Sequence, residues 1–135
     1  MSFAEALAAL RAEAAAYPDA VQMWMRVMSV SYFAGIVLAL INRRALWIVA
    51  AAAGTGALLI LGKMVLPELP RAAIGGPVHL VLWPLAMIGL WWTGPGCPSF
   101  HHRRAALVYS LWAGWVTALM MISLLLDAKE VVLPG

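Results

Sequence analysis

The side chains of this sequence best placed to do chemistry are the ionisable groups inside or at the edge of long apolar runs, because a charge in hydrocarbon is costly and demands a partner. Arg26 lies about two turns into the first run, Lys63 in the last turn of the second and His79 in the first turn of the third. Alternating passes across a bilayer bring all three to the same surface. They predict a cationic pocket for an anionic lipid, ligand or partner carboxylate, with Arg26 as anchor because a planar guanidinium fork matches carboxylate or phosphate. A plainer reading stands beside it, in which Arg26 and Lys63 snorkel to the headgroups and pair locally with Glu68, Asp127 and Glu130 on that side.

A second constellation, Cys97, His101 and His102, offers one thiol and two imidazoles of the kind that bind zinc or copper. A closed structural site wants four ligands and this loop supplies three, so no metal is expected. The two histidines are instead read with Arg103 and Arg104 as a headgroup contact, a role shared by Arg43 and Arg44. A bis-histidine haem needs two facing intramembrane histidines and the spans offer only His79. A phosphate-cradling glycine loop, a Ser/His/Asp arrangement, paired intramembrane carboxylates and a zinc-protease signature are all missing from the sequence. The expectation is no enzyme and no cofactor.

These residues must be positioned by membrane helices. Hydrophobic residues make up 64% of the 135 and charged residues 11%, with a mean hydropathy of +0.90, well outside the range of a soluble domain. The net charge of +3 does not signal nucleic acid, since four of the nine basic residues are the pairs Arg43-Arg44 and Arg103-Arg104 at span ends. Cys97, alone of its kind, allows no intrachain disulfide. The first stretch, with Glu5, Arg11 and Glu13, lacks the apolar core of a cleavable signal peptide.

Apolar runs long enough for hydrocarbon, about 20 residues each, predict spans at 19–41, 45–65, 77–92 and 105–126. Gly75-Gly76-Pro77 opens the third, the shortest, and Pro84 interrupts its middle, so a re-entrant segment is the alternative there. Before them, Phe3, Leu7, Leu10, Ala14 and Tyr17 recur three and four apart and predict an amphipathic helix over 1–17, lying in the headgroup plane or packed on the bundle. The fold class expected is an all-α membrane protein, with this interfacial helix preceding a single four-transmembrane-helix domain over 18–135.

Helices in lipid associate where small residues let backbones approach. Such ridges run through Ser31, Gly35 and Ala39 on the first span, Ala50-Gly54 and Ala52-Gly56 on the second, and Ala106, Ser110, Gly114 and Ala118 on the fourth. Packing within the bundle is the first reading and contact with another subunit the second. Tyr109, Trp112 and Trp115 lie off the last ridge and too deep for an interfacial belt, which implies either packing inside the chain or contact with another subunit or a flat bound ring. The functional expectation is an accessory subunit or assembly factor of a larger membrane complex, with lipid and other membrane subunits, or further copies of itself, as partners. The alternative is a minimal oligomeric transporter or anionic lipid-binding protein using Arg26, Lys63 and His79.

The arginine pairs abut spans in very short loops, whereas the opposite cations are scattered among acids. Their concentration favours cytoplasmic placement of the pairs and both termini outside the cytoplasm of a bacterial inner membrane. A topology reporter fused after Gly135 is accordingly expected to register outside the cytoplasm; a cytoplasmic signal reverses the orientation or removes one span.

Overall fold

The computed structural model describes residues 1–91 and 103–132, with side chains described to Lys129. Its helices are α1 (Phe3–Ala15), α2 (Asp19–Phe33), α3 (Gly35–Leu38), α4 (Ala45–Val65), α5 (Arg71–Trp91) and α6 (Arg103–Val132). Four segments are long and apolar enough to cross a membrane: Asp19–Leu38, Ala45–Val65, Arg71–Trp91 and Arg104–Lys129. The all-α, four-span bundle preceded by a short helix is therefore observed. Cys97, His101 and His102, the residues weighed as metal ligands and set aside, fall outside the described residues, as does the side chain of Arg103.

Local chemistry sets the helix ends. Ser2 and Glu5 form a capping box on α1, with the Ser2 N–H donating to the Glu5 carboxylate at 2.7 Å and the Glu5 N–H donating to the Ser2 hydroxyl at 3.2 Å. The Gln22 amide satisfies the backbone oxygens of Ala15 and Tyr17 where α1 ends and α2 begins. The first span closes earlier than the expected 41, its tail tightening into three-residue hydrogen bonds such as Leu40 N–H to Val37 O and Ile41 N–H to Leu38 O. Asn42, buried in the turn that follows, accepts from the Arg44 N–H at 3.0 Å.

The third span requires a correction. Its helix begins at Arg71, not Pro77, and runs through Gly75-Gly76-Pro77 and Pro84 without interruption. Proline disfavours a helix interior through its lost donor, but packing overrides propensity here: α4 and α5 meet as a close hairpin, with Gly75 buried facing Leu59 and Gly62 backing onto Ile74. At 1.5 Å per residue the 21-residue helix is about 31 Å long, enough for a full crossing. The fourth helix also outruns its expected end at 126.

The spans form a ring in which α4 packs on α5, α5 on α6, and α2 on both α6 and α4. Ile48, Ala51, Trp83, Ala86, Ala113, Val116 and Met120 fill its centre. Gly35, the first residue of α3, makes a tight backbone contact: a Cβ there would lie 2.9 Å from Val49 Cγ2, 3.0 Å from the Ala45 carbonyl oxygen and 3.1 Å from Trp112. Ala39 packs partly buried against the core, as does Ala52. The fourth-helix ridge is different. Ser110, Gly114 and Ala118 are exposed on the outside of the bundle with Ala106 half-buried, and nothing lies within 4 Å of a Cβ on Gly114, so the expectation that this ridge packs the bundle together is corrected. Gly35→Ala should therefore cost about 1–3 kcal/mol through overpacking against an immovable carbonyl, while Gly114→Leu should leave the monomer within about 0.5 kcal/mol. Unfolding of both variants in one detergent checks this; comparable losses would contradict the packing described.

Candidate functional site

The three residues expected to share a cationic pocket are distributed over three surroundings. Lys63, only 5% exposed at the end of α4, forms an ion pair with Glu13 of α1 and donates to the Leu69 carbonyl at 2.7 Å. The other Glu13 oxygen accepts the backbone N–H of Arg71 at 2.5 Å, in the first turn of α5 where a negative charge is favoured. Arg71 in turn donates a guanidinium hydrogen to the Leu10 carbonyl at 3.2 Å. One carboxylate thus joins α1, α4 and α5. The face of α1 that packs is Ala6, Leu10 and Glu13, whereas Phe3 of the expected stripe is exposed at 57%.

His79 sits further from its helix end than expected, eight residues beyond Arg71 and so about 12 Å along α5. Its Nδ1 lies 3.0 Å from a carboxylate oxygen of Asp127 on α6, with both side chains about a quarter exposed. The imidazole also stacks at 4.1 Å on Trp83, whose indole N–H donates to Thr55 on α4 at 3.3 Å. Thr55 passes its own hydrogen to the Ala51 carbonyl at 2.8 Å. Tyr32 of α2 meets the same Trp83 ring edge-on at 5.5 Å, and among the described residues its buried hydroxyl has no hydrogen-bond partner. A buried polar atom left so costs about 1–3 kcal/mol.

These residues line a cleft of about 1350 Å³ between α2 and the α4–α5 hairpin, with Phe3 and Tyr17 at the α1 end. Small residues of α4, among them Ala53, Gly56 and Ala57, form its floor. Gly56, read from sequence as a packing residue, faces open space; Gly54 does pack, since a Cβ there would lie 3.4 Å from Leu82 Cδ1. The cleft presents an apolar slot with imidazole and carboxylate at one place on its wall, suited to an apolar molecule carrying one polar group.

Arg26 lies elsewhere. It is exposed, and among the described residues it has neither ion pair nor hydrogen bond. With Arg11 and Arg71 it lines a recess of about 440 Å³, which shares Met25, Ser29 and Arg71 with the cleft. Sequence reading missed Arg11 and Arg71 because their meeting depends on how α1 folds back, which no periodicity records. It also missed Gly62 and Gly89, the latter pressed by the Trp47 ring.

The deep aromatics are accounted for within the chain. Trp112 donates to the Ser31 carbonyl at 2.8 Å and Trp115 to the Ser31 hydroxyl at 2.9 Å, while Tyr109 is buried against Trp112 at 5.9 Å. At the opposite end Arg43 and Arg104 are exposed and Arg44 half-buried. Among the described residues no group of three or more His, Cys, Asp or Glu side chains could hold a metal. The chain matches no family model, no curated protein and no solved structure.

The Glu13 link has a defined pH response. The Lys63 hydrogen bond, helped by the Arg71 N–H and both positive charges, holds the Glu13 carboxyl below its ordinary value of 4.5, against the opposing effect of burial. A folded value below the unfolded one means the stabilisation is complete above about pH 4.5 and is lost as pH falls through the folded value. Hydrogen exchange of α1 amides, corrected for intrinsic rates, should therefore accelerate at acid pH. Glu13→Gln should reproduce that state at neutral pH, at a cost between the about 0.5 kcal/mol of exposed pairs and the about 4 kcal/mol of buried ones. An unchanged acid response in Glu13→Gln would remove the link from the account.

Proposed function

We propose that this protein is a non-catalytic, multi-pass membrane protein of a bacterial inner membrane that holds a lipid-like molecule in the cleft between α2 and the α4–α5 hairpin. The carrying observation is the cleft itself, about 1350 Å³ of mainly apolar space floored by small residues and bearing His79 and Asp127 on its wall. The cleft is open on one side, so an elongated molecule can enter it from the surface of the bundle. A water-filled cleft with these walls inside hydrocarbon is unfavourable, and an acyl chain or similar apolar body fits them. The buried Tyr32 hydroxyl and the His79–Asp127 pair supply polar contacts for one oxygen-bearing group.

A second reading, an accessory subunit of a larger complex, is favoured by a separate observation. The ridge of Ser110, Gly114 and Ala118 is exposed on α6, a face on which another transmembrane helix can approach closely.

Gly56→Phe tests the first reading, because the new ring enters the cleft from a position with no neighbour to displace. Native mass spectrometry of protein extracted in mild detergent should find bound lipid-like molecules on the wild type and at least about tenfold fewer on the variant, with the melting temperature unchanged. Equal occupancy would sink the proposal. Loss of a co-migrating partner on Gly114→Leu, with lipid occupancy retained, would support the second reading.

A further inference from the structure

We propose that Arg11, Arg26 and Arg71 form a receptor for a phosphate-ester anion, the headgroup of an anionic lipid whose chains occupy the adjoining cleft. The inference rests on the lipid-binding reading of that cleft and adds the class of lipid it selects.

Arg11, Arg26 and Arg71, from α1, α2 and the start of α5, line one shallow recess of about 440 Å³, and among the described residues no Asp or Glu lines it with them. Glu13, the acid nearest in the network, is already taken by Lys63 and by the Arg71 backbone N–H. Arg11 and Arg26 have no ion pair among the described residues. Like charges gathered without a counter-charge disfavour one another, and a bound anion reverses the sign of that interaction. Independent snorkelling accounts for the group poorly. Arg71 is tethered to the Leu10 carbonyl, and Arg26 starts about 10 Å into its span, where reaching water is most costly.

Guanidinium forks bind phosphate bidentately, and three of them around one recess suit an anion with several oxygens. Its remaining walls include Ala14, Ala15, Met25 and Val30, which are apolar and suit the glycerol end of a lipid better than a hydrated free ion. Met25, Ser29 and Arg71 belong to both spaces, so a headgroup in the recess leads its chains directly into the cleft.

The test is lipid competition on the full chain in mixed micelles, read by native mass spectrometry. The probes are palmitoyl-oleoyl phosphatidylglycerol, the corresponding phosphatidylcholine, and chain-free glycerol phosphate. Wild type should prefer phosphatidylglycerol over phosphatidylcholine by about tenfold or more. Arg11→Gln and Arg26→Gln, both at exposed side chains that the fold does not use, should each reduce that preference by about fivefold. The double variant should bind the two lipids equally while its total lipid occupancy persists. Gly56→Phe should lower both lipids together and keep their ratio. Equal binding of the two lipids by wild type overturns the headgroup receptor and leaves the cleft reading standing, whereas absence of both lipids overturns the cleft reading as well. Glycerol phosphate bound as tightly as phosphatidylglycerol assigns the recess to a free anion and overturns the lipid assignment. A double variant that keeps the preference overturns the role of the arginines.

Discussion

The Glu13 carboxylate is the interaction on which the α1 end of this fold depends. Helices in lipid gain little from burying apolar surface against one another, so directional contacts carry more of their organisation. Glu13 neutralises a buried ammonium on α4 and occupies the positive end of α5. With both acceptors engaged it fixes α1 against the turn of the α4–α5 hairpin. Because α1 is held there, Arg11 comes beside Arg26 and Arg71, and Phe3 and Tyr17 border the cleft.

The opposite flank is held by tryptophan donors. Trp112 and Trp115 of α6 reach Ser31, and Trp24 of α2 reaches Ser123, so α2 is bonded to α6 at separate heights. The same span approaches α4 closely at Gly35 of α3, where a Cβ would crowd Val49 and the Ala45 carbonyl. Between these attachments α2 touches α5 through Tyr32 and Trp83, and the space left beside that contact is the cleft. Fixed contacts at the rim and space in the middle produce a binding volume from only four spans.

The class of fold was legible because hydrocarbon imposes one requirement, a sustained apolar helix, that a single sequence satisfies visibly. Boundaries were less legible. Gly75-Gly76-Pro77 reads as a break by local propensity, yet the tight α4–α5 contact at Gly62 and Gly75 carries the helix through. Spacing identified small-residue ridges but not what each ridge faces: Gly35 is crowded, Gly56 looks into the cleft and Gly114 looks outward. Alternating topology put His79 and Asp127 on the same side, but their pairing needed the depth of one and the extra helical turn under the other. Glu13 gave no signal of its role, since an acid off an amphipathic stripe looks the same whether it meets water or a neighbouring helix.

The helices are also unequal in length. Arg104–Lys129 spans 26 residues, about 39 Å, beside about 31 Å for the 21 residues of α4 or α5 and about 30 Å of hydrocarbon. The excess is taken up by tilt or by emergence into the headgroups, each at a fraction of a kcal/mol per ångström of mismatch. Asp127 lies near the end of this longest helix, and its partner His79 lies on the shorter α5. The pair therefore joins two helices whose lengths differ by about 8 Å against the same hydrocarbon thickness.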